Sequence, residues 1–494
     1  MSSGGELDRL AAACVLPGFE GPRAPDWVRR WLERGLGGVV LFAWNVESSE
    51  QLRALTAALR SERDDVLVAI DEEGGDVTRL EAKTGSSYPG NAALGAVDDV
   101  ELTEQVAAAM AMDLAAVGVN VNLAPVADVN TNPQNPVIGI RSFGADGELV
   151  ARHVAAFVRG LQGVGVAACA KHFPGHGDTS EDSHHELPVV EAIEDQSLLP
   201  FKAAIEAEVQ AIMTAHIVVR GLGEAPATMS REILHGLLRS ELGYEGLVMT
   251  DALEMRAISD TVGVEEGAVR AIESGADALC LGHDLFEESV RSVCDALVEA
   301  VRSGRLLESR LADAAGRVGR TAAWASAPRG PGPDVSREVG LVAARLALRV
   351  AGNGSLSRPP LVVELEPEPS MAAGRLPQGP GDWFRSEVPE AEVVRLQEDD
   401  SVAGALVLAD GRQLVIVARD AHRHAWERDA VEQLLARADD AVVVELGLPY
   451  WKPSGATTYV TTSGAGRVNV EAAAERLYSG LRRGVEQSGS SPGS

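Results

Sequence analysis

Short apolar, β-branched runs punctuate the first two thirds of the chain at residues 13–19, 37–42, 66–71, 119–128, 164–172, 211–216, 246–251 and 278–282. Runs that are apolar at consecutive positions predict strands covered on both faces. Segments rich in Ala, Leu, Glu and Arg at helical spacing separate most of them, among them 101–117, 149–161, 193–207 and 231–242. This alternation predicts a parallel sheet wrapped in helices, and eight repeats fit a closed (β/α)8, TIM-like barrel. The alternative is an open, doubly wound sheet. Several runs end in polar residues: Asp71, Asp128, Lys171 with His172, His216 and Asp251. A barrel gathers the carboxyl ends of all its strands on one face, whereas an open sheet concentrates its ligands at one switch point. Five contributing strands favour the barrel.

Residues 326–333 (SAPRGPGP) are too rich in Pro and Gly to continue a helix or a strand. Beyond them, short strands at 360–365, 391–396, 413–417, 441–446 and 457–461 alternate with helical segments at 335–350, 425–436 and 470–481. The expected organisation is therefore α/β throughout: a barrel over 1–325, a linker over 326–334 and a smaller α/β sandwich domain over 335–485. The Ser- and Gly-rich tail, 486–494, is expected to be disordered.

Charge and composition narrow the partners. With 44 Lys and Arg against 73 Asp and Glu the formal charge is −29, which disfavours a nucleic-acid binder, since phosphate affinity comes largely from basic side chains. The N-terminus lacks the basic region and apolar run of a secretory signal, and no stretch approaches a membrane span, so a cytoplasmic protein is expected. Cys14, Cys169, Cys280 and Cys294 form no CxxC pair and mostly lie in apolar stretches, which predicts buried thiols. Only four lysines occur, and Lys171 is one of them.

The densest cluster of reactive residues is 171–188 (KHFPGHGDTSEDSHHELP), which holds four of the ten histidines. It begins at a strand end and runs through a Gly/Ser/Asp-rich stretch with no hydrophobic period, so these side chains are not one face of a helix. The spacing matches no zinc pattern such as HExxH, and neither a metal nor a cofactor is expected. Asp182 and His184 instead have the composition of a dyad. A carboxylate on one imidazole nitrogen fixes the tautomer and leaves the other nitrogen to give or take a proton. Lys171 and His172 supply donors for a hydroxyl-rich ligand, while Gly175 and Gly177 permit the turns of a loop over a site. Asp251 closes an apolar strand in GLVMTDALEM, where it is either a carboxylate at the barrel mouth or the N-cap of the next helix. Asp71 and Arg79 flank a Glu-Gly-Gly turn and can accept from and donate to neighbouring hydroxyls. Arg141, in a second polar stretch after a strand, adds a fork-shaped donor.

Taken together these segments resemble glycoside hydrolase family 3, and within it the β-N-acetylglucosaminidase branch with two domains. The matching pieces are GVVLFAWN (38–45), IDEEGGDVTRL (70–80), NLAPVADVN (122–130), RSFG (141–144), the histidine motif, MTAH (213–216), PATMS (226–230) and GLVMTDALEM (246–255). They occur in family order over most of 10–325, and the histidine motif is the most specific. The resemblance implies that Asp251 is the nucleophile, with the N-cap alternative set aside, that His184 is the acid/base, and that Asp182 orients it. It also implies that Asp71, Arg79, Asp128, Arg141, Lys171 and His172 bind the sugar. Glu72, Asp76 and Trp44 depart from the residues usual in the family. The sandwich domain is more loosely similar to that of two-domain members, through Arg419-Asp420-Ala421-His422 and 445–449.

The activity implied is retaining, exo-acting removal of terminal β-linked N-acetylglucosamine through a covalent glycosyl-enzyme. An imidazole does not repel an anionic acceptor as a second carboxylate would, so inorganic phosphate could replace water and make the enzyme a phosphorylase. A β-glucosidase of the same family and a non-catalytic sugar-binding protein are the other readings. The expected partner is a small carbohydrate, with phosphate as the optional second substrate.

Overall fold

The computed structural model of the chain describes residues 4–179, 187–282, 286–330, 332–368, 374, 379–438 and 440–488. These fall into two compact units, one comprising Met1–Glu73, Val100–Ile138 and Ser142–Ser336, the other Gly74–Asp99, Gly139–Arg141 and Arg337–Ser494. The boundary expected from the sequence is a single one at 326–334, with 74–99 and 139–141 inside the barrel. In the structure those two insertions cluster with the second unit.

Each of the eight apolar runs holds one strand of the first unit: β1 (Val15–Pro17), β2 (Gly38–Leu41), β3 (Leu67–Ile70), β4 (Val121–Asn122), β5 (Ala167–Phe173), β6 (Ala211–Thr214), β7 (Leu247–Met249) and β8 (Leu279–Leu281). Strands β2 to β7 form one parallel sheet in chain order. β8 follows β7 through a parallel bridge between Met249 and Ala278, and pairs in parallel with β1, Val15 opposite Leu279. Chain order around a curled sheet is the barrel arrangement, and the doubly wound alternative falls. Among the described residues no ladder joins β1 to β2, which stand side by side at the seam.

Alternate strand positions fill the interior, as a period of two requires. Leu67 and Ala69, Ala167 and Cys169, Ala211 and Met213, and Leu247 and Met249 all enter one buried cluster. Helix Glu308–Ser326 adds Val318 and Ala322 to it. Because the interior is solid, ligand chemistry is confined to the strand ends. At the entry to β8, Asp277 is fully buried and ion-paired with Arg239 (2.6 Å) and Arg310 (2.7 Å), and it accepts the Val248 N–H at 2.9 Å. Burial pushes its pKa up, against the pull of the two guanidinium groups.

Helix Gly147–Val164 shows why the helical segments start and stop where they do. Asp146 accepts the Leu149 N–H at 2.8 Å at its N-cap, and Gly165 ends it at φ 101°, a conformation glycine adopts without penalty. The segment expected as helix 231–242 is helical over Glu232–Glu241, but wound with the wider i→i+5 pattern.

The second unit holds β9 (Arg349–Gly352), β10 (Pro360–Leu365), β11 (Glu392–Leu396), β12 (Gln413–Ala418), β13 (Ala441–Glu445) and β14 (Thr458–Thr461). The order is β9-β14-β13-β12-β10-β11, parallel except for β9 against β14. Leu361, Val363, Leu414 and Ile416 pack on one face with helices Ala403–Leu408 and Ala425–Leu435. Val362, Val415, Val417 and Val442 pack on the other with helices Pro380–Glu387 and Arg467–Ser488. This is the expected sandwich. The expected helix 335–350 is shorter, Val339–Ala347, and gives way to β9.

All four cysteines are free and buried, and burial pushes the thiols of Cys169 and Cys294 up to about 12. No helix among the described residues is long and apolar enough to cross a membrane.

Candidate active site

Three adjoining strands of the first unit bring a buried ion cluster to the carboxyl end of the barrel. Lys171, near the end of β5, places Nζ 2.6 Å from Asp71 Oδ1 and 2.7 Å from Glu73 Oε1. Asp71 follows β3 directly. Glu73, which sequence reasoning did not select, is buried with it. The backbone just before it is fixed through β4, where Asn122 accepts the Glu72 N–H and donates to its carbonyl. Burying an ammonium requires a paired anion, and here two carboxylates share one cation. A lysine at a strand end two to three residues from apolar positions was visible in the sequence; its second carboxylate partner was not, because Glu73 lies among Glu72, Gly74 and Gly75 with no period to mark it.

Asp128 reaches the same end of the barrel because the chain after β4 runs along β5, with a parallel bridge between Val126 and Lys171 and an Ala127 N–H donated to the Lys171 carbonyl at 2.6 Å. Its Oδ2 is 2.7 Å from His172 Nδ1, and Oδ1 accepts the backbone N–H groups of His172 (3.3 Å) and His176 (2.6 Å). The carboxylate holds a proton on His172 Nδ1, which leaves Nε2 as the ring atom that can face a ligand. Asp128 is fully buried. Its geometry is that of a group that sets His172 and the following loop, which differs from the direct sugar contact expected of it.

His176 extends this network. Its Nδ1 lies 2.7 Å from Thr179 Oγ1, and Asn135 donates to its carbonyl at 2.9 Å. Burial drives its pKa down to about 4, so the ring is neutral at physiological pH. At Gly177 a Cβ would be driven into the Val129 carbonyl oxygen, so only glycine allows this approach. Asn132 donates to the Thr179 carbonyl at 3.1 Å. Asp182 and His184 lie outside the described residues.

Asp251 stands two residues past β7. The next helix, Arg256–Ser259, has Met255 at its N-cap, so Asp251 does not cap it. Instead Oδ1 accepts the N–H of the following residue, Ala252, at 2.8 Å.

Among the departures from the family pattern, Trp44 lies past β2, stacked on Phe42 with ring centroids 4.7 Å apart, and its Nε1 donates to the Phe19 carbonyl at 3.0 Å. Arg79, Arg141 and Asp76 belong to the second unit. There the Arg141 carbonyl accepts from Asn91 at 2.7 Å. Asp76 is buried, ion-paired with Arg419, and accepts the Ala465 N–H at 2.9 Å. The aspartate that departs from the family pattern thus pairs with the arginine of the Arg419-Asp420-Ala421-His422 motif. Among the described residues no cluster of His, Cys, Asp and Glu is arranged to hold a metal ion.

The chain matches the model of the glycosyl hydrolase family 3 N terminal domain over residues 18–321. It is 36% identical to beta-hexosaminidase A of Pseudoalteromonas piscicida over 348 residues, which are 63% of this chain and 56% of that one; the chain spans little more than half the length of this relative. It is 38% identical to a beta-hexosaminidase of Alkalilimnicola ehrlichii over 280 residues, 54% of this chain and 80% of that one. Among solved structures, a glycoside hydrolase family 3 beta-N-acetylglucosaminidase from Paenibacillus sp. str. FPU-7 superposes with a TM-score of 0.87 at 35% identity, covering 96% of this chain and 97% of that one. With a family match that covers more than half of its length, the chain belongs to glycosyl hydrolase family 3.

Proposed function

We propose that this chain is an exo-acting β-N-acetylglucosaminidase that removes terminal β-linked N-acetylglucosamine with retention of configuration. The observation that carries the reading is the carboxyl end of the barrel. There the Lys171–Asp71–Glu73 cluster, the Asp128–His172 pair and Asp251 are set on strand ends, in a chain whose relatives are named beta-hexosaminidase and beta-N-acetylglucosaminidase.

In this reading the Asp251 carboxylate attacks the anomeric carbon as the glycosidic C–O bond breaks, and His184 gives its proton to the departing oxygen. His184 then takes a proton from water, whose oxygen attacks the same carbon and releases Asp251. Asp182 orients His184. Asp71 accepts from sugar hydroxyls, and Lys171 and His172 contribute the donors that hold the ring against the nucleophile. Asp128 keeps His172 in the tautomer this requires.

The test compares p-nitrophenyl β-N-acetylglucosaminide with the plain glucoside, in phosphate and in phosphate-free buffer, following the first-formed anomer by NMR. The expected outcome is a marked preference for the N-acetylated substrate, β-N-acetylglucosamine as first product in both buffers, and loss of nearly all turnover in Asp251→Asn. An α-anomer as first product would overturn the double displacement. A sugar 1-phosphate formed only in phosphate would replace water with phosphate as the acceptor.

A further inference from the structure

β6 ends at Thr214, and two residues later His216 is fully buried at the carboxyl end of the barrel. Its Nε2 lies 2.9 Å from the Ala252 carbonyl oxygen and its Nδ1 2.8 Å from Thr228 Oγ1. A carbonyl can only accept, so Nε2 carries a proton and donates it to Ala252. Thr228, also fully buried, lies in the short 3-10 turn Ala227–Met229, with its hydroxyl 2.8 Å from Thr214 Oγ1 and 3.0 Å from the Ala215 carbonyl. One imidazole therefore ties together three segments: the end of β6, the 227–229 turn and the segment after β7.

Residue 252 is where this matters. Its N–H donates to Asp251 Oδ1 and its carbonyl accepts from His216, so both of its backbone groups are engaged. The neighbouring backbone is held from β8: Thr250 donates to the Ala278 carbonyl at 2.9 Å and Leu253 to the Cys280 carbonyl at 3.1 Å. The segment from Asp251 to Met255 belongs to no helix or strand; the peptide that follows Ala252 is held at its two polar groups, the Leu253 N–H by the Cys280 carbonyl and the Ala252 carbonyl by His216.

We propose that His216 is a positioning residue for Asp251: by holding the Ala252 carbonyl it fixes the direction of the neighbouring carboxylate. This rests on the reading of Asp251 as nucleophile. The contribution falls on the attack step, because His216 acts through the backbone of the nucleophile's segment, so the rate of covalent labelling and kcat/KM fall together.

The experiment measures covalent labelling by 5-fluoro-N-acetylglucosaminyl fluoride, whose fluoride departs without a proton and which therefore reports nucleophilic attack apart from acid catalysis. Rates come from intact-mass spectra and the labelled residue from peptide mapping, with kcat and KM on the p-nitrophenyl substrate measured in parallel. His216→Leu removes the donor, and His216→Gln keeps a side-chain N–H. Expected are labelling and kcat/KM both roughly 10- to 100-fold lower in His216→Leu, recovery in His216→Gln to within about 5-fold of the native rate, and roughly 3- to 10-fold slowing in Thr228→Val. Labelling of His216→Leu at the native rate overturns the proposal. Where His216→Leu fails to fold by circular dichroism, Thr228→Val decides: slowed labelling supports the proposal and the native rate overturns it. Label found on a residue other than Asp251 in the native enzyme rejects the nucleophile assignment itself, whatever the His216 variants do.

Discussion

The second unit carries a pair of buried carboxyl groups whose ionisation gives its stability a predictable slope against pH. Glu427, on helix Ala425–Leu435, is fully buried; its Oε2 accepts the Arg419 N–H at 2.9 Å, and its Oε1 has no hydrogen-bond partner. Glu445, at the end of β13, accepts the N–H groups of Asp420 (2.8 Å), Gly447 (2.7 Å) and Ala421 (3.3 Å). Burial first, then the neighbouring Glu445, pushes Glu427 up to about 9; burial first, then Asp420, pushes Glu445 up to about 8. At neutral pH Glu427 therefore holds its proton in the fold and loses it on unfolding. The sign follows directly. A carboxyl whose folded pKa is raised contributes stability that is complete below the unfolded pKa of about 4.3 and is lost as pH rises toward the folded value. Each pH unit in that window removes about 1.4 kcal/mol, so the step from pH 6 to pH 8 removes about 3 kcal/mol through Glu427 alone. Glutamine keeps the shape and an acceptor for Arg419 and takes up no proton. In Glu427→Gln the unit should already melt above the native temperature at pH 6 and further above it at pH 8. The gap should widen by roughly 6–12 °C for a unit of this size. Scanning calorimetry at the two pH values measures it, and a gap that stays constant with pH would refute the assignment of a protonated, buried Glu427.

Three further outcomes follow from the first unit. Lys171→Met removes a cation bonded to both Asp71 and Glu73, and should cost about 3–5 kcal/mol of stability in urea denaturation along with at least 100-fold in kcat/KM. An unchanged urea midpoint would show that the cluster is not desolvated. Asp277→Asn weakens the anchorage of Arg239 and Arg310 at the opposite ends of the strands. It should lower the melting temperature while leaving KM and kcat within about 2-fold of native at 25 °C, because that end of a barrel carries stability rather than chemistry. Gly177→Ala forces a methyl group against the Val129 carbonyl. Its kcat should fall by about 10-fold or more, because the displaced residues support the His172–His176 network and precede His184 in sequence, while the melting temperature drops by only a few degrees.

The barrel was legible because its signal is collective. Eight apolar runs repeat with helical spacers between them, and no single run had to be assigned correctly for the count to hold. The site was legible where a polar residue closes an apolar run, as Asp71, Lys171 and Asp251 do, since the end of a strand is marked by its own pattern. What escaped were partners that lie close only through the fold. Glu73 carries no periodicity, and its role depends on a lysine about 100 residues away. The membership of 74–99 in the second unit depends on contacts such as Asp76 with Arg419 and Arg337 with Glu81, which join positions hundreds of residues apart. Local pattern cannot signal such pairings, because a long-range ion pair leaves no trace in the spacing of either partner.

Asp277 and Asp251 show how position along a strand decides what a carboxylate does. Both adjoin short apolar strands and both have backbone N–H groups close by. Asp277 precedes β8, and there it is fully buried, with two arginines and the Val248 N–H on its oxygens. Its oxygens are engaged by the protein, and the guanidinium groups of Arg239 and Arg310 offset its charge. Asp251 follows β7, is only partly buried, and its Oδ1 takes the N–H of its own neighbour at 2.8 Å. A nucleophile has to keep electron density available, so it must be oriented without being saturated with donors. Orientation through the backbone meets that condition: the bond from His216 to the Ala252 carbonyl constrains the direction of the carboxylate while adding no donor to it. The same aspartate surrounded as Asp277 is would be better held and chemically inert, which is why the support for Asp251 is expected one residue away from the group that reacts.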